Sequence, residues 1–121
     1  MSTIHESRAG NVTILEINGR LRIGPVVEEL ATTLQRLIVE GQTAILLDCR
    51  QVTAIDSQGI KVIVRGVISA QRRGGKLKLL NLTPRVREVL DITRLLSVIE
   101  SFDDEQIALS SFAENRQAGL K

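Results

Sequence analysis

The sequence predicts a single α/β domain with a mixed, mostly parallel sheet of about four to five strands packed by about four helices. Three observations lead there. Short apolar runs alternate along the chain with amphipathic stretches of helix length. The connections between most successive runs are long enough to be crossovers, which parallel strands require. Glycine, proline or polar residues mark each change of pattern. A chain of 121 residues can also bury one core without disulfides or metal.

The N-terminal segment is placed to add an antiparallel edge strand. Val12 to Ile17 reads as a strand, and Asn18-Gly19-Arg20-Leu21 reads as a turn. Gly24-Pro25 opens a helix, because proline at the first helical position lacks only an N–H that would have no partner there. Val26, Leu30, Thr33, Leu34, Leu37 and Ile38 fall on one face of that helix, with Glu28, Gln35 and Val39 opposite. Gly41 is a suitable stop.

Ala44-Ile45-Leu46-Leu47 is a continuous apolar run, as expected of a central strand covered on both faces, and Asp48 to Ile55 reads as a loop. A helix beginning around Ser57 groups Ile60, Ile63, Val64, Val67 and Ile68 in one stripe and leaves Lys61, Arg65, Ser69 and Arg72 outward. Val62 falls among those outward polar positions, either as an incidental surface residue or as part of a contact patch.

Gly74-Gly75 ends the helix, and Lys76 to Leu82 reads as a strand in which Leu77 and Leu79 alternate with Lys76 and Lys78. Thr83 can cap a further helix with Pro84 at its first position and Val86, Val89 and Leu90 on its apolar side. Ser97 to Ser101 offers a last short strand. Phe102-Asp103 then starts a terminal helix, with capping-box spacing between Asp103 and Gln106 and staple spacing between Phe102 and Ile107. The domain is expected over residues 1–112, and residues 113–121 are expected to form a flexible tail.

Composition excludes several function classes. No apolar run approaches the roughly 20 residues of a membrane span, and the first residues have neither the basic stretch nor the apolar core of a secretory leader. Lone Cys49 cannot form an internal disulfide, which fits a reducing, cytoplasmic setting. Arg72, Arg73, Lys76, Lys78, Arg85 and Arg87 cluster in sequence, but the net charge is only +2 and Phe102 and Phe112 are the only aromatics, so a solvated face is expected rather than a nucleic-acid platform. His5 has no second histidine with which to hold a metal. Cys49 follows an apolar strand, which favours burial over reactivity. Asp48 sits where a receiver domain carries its phospho-accepting aspartate, but Asn18-Gly19-Arg20 offers no acidic pair to go with it. No glycine-rich nucleotide loop follows a strand. An enzyme therefore has no constellation behind it, and no cofactor or metal is expected.

Asp56-Ser57-Gln58-Gly59 places a hydroxyl at a helix start, where unpaired backbone N–H groups and the helix dipole favour negative charge. Ser57 is there either as a plain N-cap or as a phosphate acceptor. Asp56 suits an N-terminal cap or a partner contact. Gly59 is unfavourable inside a helix by about 1 kcal/mol relative to alanine, which implies close backbone approach or a need for low bulk.

Three stretches carry a resemblance to a known family. They are Ala44 to Ile60, which contains the Asp-Ser-x-Gly tetrad; Arg72 to Leu82, with its glycine break and following strand; and Pro84 to Leu96, similar to a helix reading Val-x-x-x-Leu-x-x-Thr-x-Leu. Together they resemble the STAS domain, the sulfate-transporter and anti-sigma-factor-antagonist family, and in particular its free-standing bacterial members, over roughly residues 10 to 112.

The resemblance implies an anti-sigma factor antagonist that binds an anti-sigma factor serine kinase while unphosphorylated and so releases a sigma factor. Phosphorylation by that kinase breaks the complex, and a serine phosphatase resets it. Carried over by position, Ser57 is the phospho-acceptor, Asp56 its acidic neighbour and Gly59 the small residue of the first turn. Asp56, Ser57, Gln58, Gly59, Lys61, Val62 and Arg65 form the expected partner-binding set. Where the family usually has Ser, Thr or Ala this chain has Gln58, and where it often has Gly this chain has Lys61, so the surface is bulkier and more basic. A non-phosphorylated STAS interaction module in a signalling scaffold is the alternative, and a small-molecule-binding α/β domain a more distant one.

Overall fold

The computed structural model describes residues 3–119, with side-chain surroundings described from Thr3 through Ala113. Strand β1 (Ile4–Ala9) pairs antiparallel with β2 (Val12–Leu21), and Ala9 lies opposite Val12 across a two-residue Gly10-Asn11 turn. Gly10 takes a φ of 62°, the left-handed conformation that such hairpin turns demand. β3 (Ala44–Ile55), β4 (Lys76–Leu80) and β5 (Ser101–Phe102) then add in parallel, so the sheet order is β1-β2-β3-β4-β5. Helices α1 (Pro25–Val39), α2 (Ser57–Arg72) and α3 (Pro84–Ile92) lie in the crossovers, and α4 (Glu105–Gly119) follows β5. The mixed sheet, the antiparallel edge strand and the helical crossovers are as the sequence predicts.

Alternation along the strands divides the core in two. Leu15, Ile17, Ile45, Leu47, Leu77 and Leu79 pack with Leu30, Leu34, Leu37, Ile63, Val86 and Leu90 of α1, α2 and α3. Ile14, Leu46 and Leu80 pack on the other side with Ala108 and Phe112 of α4. The sheet is thus covered on both faces, which explains the unbroken apolar run at Ile45-Leu46-Leu47.

Several boundaries differ from the sequence reading. Asn18 to Leu21 do not turn the chain; they continue β2 and pair with Gln51 to Ile55, with register shifts on either side of the Asn18-Gly19 pair. Asp48 to Ile55 is strand rather than loop for the same reason. These segments lack clean alternation, yet each supplies the other's ladder partners, so pairing overrides local pattern. Gly19, with a φ of 122°, sits at one of the irregularities. β4 ends at Leu80, and the last strand lies at Ser101–Phe102 after a 3-10 turn over Leu95–Ser97.

Helix ends also shift. The backbone N–H of Ile107 donates to Asp104 Oδ1 at 3.0 Å, so Asp104 rather than Asp103 caps α4. Ile107 is exposed and Phe102 packs into the α4-side cluster, so the two do not form a staple. Thr83 precedes α3, but its hydroxyl donates to the Val52 carbonyl at 3.0 Å and ties α3 to β3 instead of capping. In α1, Val27 is a core residue that the sequence reading omitted, while Val26 and Thr33 are half-buried. His5 lies in β1, opposite Glu16, with its side chain exposed. α4 runs through Gly119, and residues 120–121 of the expected tail lie outside the described residues.

Lys78 is the largest departure. Its place in an alternating run implies a solvent-facing cation, but it is 1% exposed. Its ammonium donates to Ser111 Oγ at 2.9 Å, pairs with Glu100 Oε1 at 3.3 Å and lies 4.7 Å from the centroid of the Phe112 ring. β4 is buried on both faces once α4 folds over it, so strand alternation there no longer separates core from solvent.

Candidate functional site

The site is built where β3 ends and α2 begins. Asp56 holds extended backbone, with φ −121° and ψ −173°, and its carboxylate closes the helix end. Oδ1 accepts from the N–H of Gln58 at 2.9 Å and of Gly59 at 3.1 Å, while Oδ2 accepts from the N–H of Ile23 at 2.9 Å. The Asp56 N–H itself donates to the Leu21 carbonyl at 3.1 Å. One side chain therefore caps α2 and fastens the β2–α1 loop to it. Asp56, not Ser57, is the N-cap; Ser57 is the first helical residue and is exposed, with no part in the cap.

The Ile23 N–H bond is the main reason the Asp56 carboxyl is held below the usual carboxylate range, with the Gly59 and Gln58 bonds and nearby Arg22 adding to it against partial desolvation. A depressed folded-state pKa contributes stability that is fully present above the unfolded-chain value and is lost as pH falls through the folded value. Asp56→Asn is therefore expected to melt lower than wild type at neutral pH, with the difference shrinking in acid. Parallel thermal melts across that range check this.

Gly59 is buried on the inner side of the first turn, away from solvent. A Cβ there would lie 2.3 Å from the Leu21 carbonyl oxygen and 2.9 Å from Ile55 Cγ1. The glycine lets the helix start touch the ends of β2 and β3, the backbone proximity that its place in a helix implied.

The remaining positions of the expected set separate. Lys61 and Arg65 are exposed and Gln58 is half-buried, all on the arc of α2 that also carries Ser57. Val62 is half-buried and packs against the main core on the side of α1, lining a groove between the two helices. Beside Asp56, Arg20, Arg22, Ile23 and Pro25 line a second cleft, and Ile23 is 80% exposed. The sequence reading missed these loop residues because their link to the site is the Ile23–Asp56 bond across 33 positions.

The other chemically suggestive groups are structural. Burial, with a smaller contribution from neighbouring Asp48, pushes the Cys49 thiol up to about 12, which leaves almost no thiolate at neutral pH. Buried Asp48 accepts from the Arg50 N–H at 3.1 Å. Among the described residues, no group of three His, Cys, Asp or Glu side chains could hold a metal ion, and no helix is long and apolar enough to cross a membrane.

A mixed five-stranded sheet whose middle strand ends in an acid-capped helix led by an exposed serine defines a class of small α/β domains in which the strand–helix junction is the accessible feature. The sequence model described as the STAS domain matches residues 5–108. The chain belongs to the STAS domain family.

Among its relatives, BtrV of Bordetella bronchiseptica, named as a candidate anti-sigma factor antagonist, is 28% identical over 70% of this chain and 73% of its own length. The structure of an anti-sigma-factor antagonist (STAS) domain protein from Planctomyces limnophilus superposes with a TM-score of 0.80 at 27% identity, covering 91% of this chain and 97% of that one. The structure of the Bacillus cell fate determinant SpoIIAA in the phosphorylated form shares the fold with a TM-score of 0.71 at 19% identity, covering 89% of this chain and 97% of that one.

Proposed function

We propose that this protein is an anti-sigma factor antagonist switched by phosphorylation of Ser57. Unphosphorylated, it binds an anti-sigma factor serine kinase and releases the sigma factor; phosphorylation by that kinase breaks the complex, and a serine phosphatase restores it. The cytoplasm is the setting in which those partners meet.

One observation carries the reading. Asp56 takes over the capping bonds, which leaves the Ser57 hydroxyl exposed at a helix start and without a structural duty that modification would disrupt. A phosphate adds about −1.5 to −2 charges there. The helix N-terminus tolerates that charge, whereas a docked partner surface must desolvate it without a matching cation. Each 1.4 kcal/mol of that mismatch is about tenfold in affinity. Relatives named as anti-sigma factor antagonists lend further support.

The test is incubation with the cognate kinase and ATP, read by intact mass. Wild type is expected to gain one phosphate and Ser57→Ala none, while Ser57→Asp binds the kinase at least roughly tenfold more weakly than wild type. Uptake that persists in Ser57→Ala places the acceptor elsewhere. Full kinase affinity in Ser57→Asp leaves phosphorylation without a releasing role and favours the plain interaction module.

A further inference from the structure

We infer that the α1–α2 face is a docking surface for an acidic, amphipathic protein segment whose apolar side chains enter the groove between the two helices. Two independent features meet there, one electrostatic and one steric.

The electrostatic feature is the outer ridge of α2. Ser57, Lys61, Arg65, Ile68 and Arg72 succeed one another at spacings of three or four, so they form one row along the helix surface. All five are exposed, and the helix contains no acidic residue. Ile68, which the sequence places in the inward apolar stripe, lies at the edge of that stripe beside Lys61 and Arg72. None of the three cations forms an ion pair among the described residues, unlike Arg36 on α1, which is held by both Glu6 and Glu40. An uncompensated basic stripe of this kind selects carboxylates in a partner.

The steric feature is the groove beside that ridge. It has a volume of about 340 Å³ and is lined mainly by apolar Ala31, Leu34, Ile38, Val62 and Gly66, with Gln35, Ser69 and Arg65 as its polar members and no acidic side chain in its lining. Gly66 keeps its floor in place, since a Cβ there would lie 2.9 Å from Leu77 Cδ1 and 3.0 Å from Leu34 Cδ1. Val39, 69% exposed, also lines the groove, and Ile68, 43% exposed, stands on the neighbouring ridge. An apolar slot flanked by cations fits a helix that presents aliphatic side chains at i, i+3 and i+4 with carboxylates alongside. A nucleic acid fits less well, because the slot offers no aromatic platform for bases.

The surface also supplies a chemical route for the switch, and this link alone rests on Ser57 being the phospho-acceptor. A phosphate on Ser57 stands four residues before Lys61, the orientation in which an anion and a cation on one helix attract most favourably. It would neutralise the head of the ridge and repel a partner's carboxylates in one step.

The experiment uses two synthetic amphipathic peptides, one of leucine and glutamate and its leucine–lysine counterpart, titrated into the isotope-labelled protein. The acidic peptide is expected to shift the backbone amides of Ala31, Gln35, Val62 and Ser69, with an affinity that falls as salt rises. Arg65→Glu combined with Arg72→Glu, both exposed, should weaken it roughly tenfold. Absence of acidic-peptide binding, shifts confined to other surfaces, equal binding of the lysine peptide, or an unchanged affinity in the double variant each overturns the inference. The kinase-and-ATP measurement on Ser57 is unaffected by any of these results, so the switch and the docking surface fail separately.

Discussion

Gly59→Ala is expected to destabilise the domain by about 3 kcal/mol, despite replacing glycine with the best helix former. Helix propensity alone predicts a gain of about 1 kcal/mol. The added Cβ, however, falls 2.3 Å from a backbone oxygen of Leu21, which cannot rotate away as a side chain can. The first turn of α2 must then lift from β2, and the movement strains the Asp56 bonds that join α2 to the Ile23 loop. Urea unfolding of wild type and variant measures the difference. A stabilised Gly59→Ala protein would show that the helix start does not rest on β2 as described.

Lys78→Ala is expected to cost a similar amount, about 3 kcal/mol, while Lys78→Met stays within about 1 kcal/mol of wild type. Truncation leaves a cavity beneath α4, where the fully buried Lys78 side chain reaches its ammonium over the Phe112 ring. Methionine refills the volume with a flexible apolar chain. Ser111 and Glu100 are not stranded by that change. Ser111 Oγ still donates to the Ala108 carbonyl at 2.6 Å, and the Glu100 side chain is half in solvent. Thermal or urea unfolding of the pair decides whether Lys78 acts by filling space or by its charge. Equal losses in both variants would assign the stabilisation to the ion pair and hydrogen bond.

These two residues also show how far the sequence could be read. The amphipathic pattern of α1 and α2, the apolar run of β3, the glycine at the α1 stop and the prolines at two helix starts are local features, and each predicts its element. The Asp-Ser-Gln-Gly tetrad marks the candidate site for the same reason, since capping chemistry acts within a few residues. Strand lengths were not local. Asn18 to Leu21 and Asp48 to Ile55 look irregular alone and become strands only by pairing with one another. Lys78 reads as outward because nothing near it announces that Ser111 and Phe112 will close over it.

The sequence by itself determined the α/β class, the family resemblance, and the placing of a serine at the start of the central helix. Periodicity, glycine and proline positions, and capping residues act over one or two turns and are written directly in the chain. Only the tertiary structure decided that Asp56 is the cap and Ser57 the free hydroxyl, that Gly59 faces β2, that Val62 belongs to a groove, and that Lys78 is interior. Each of these depends on a contact between segments distant in sequence, whose energies no local pattern encodes.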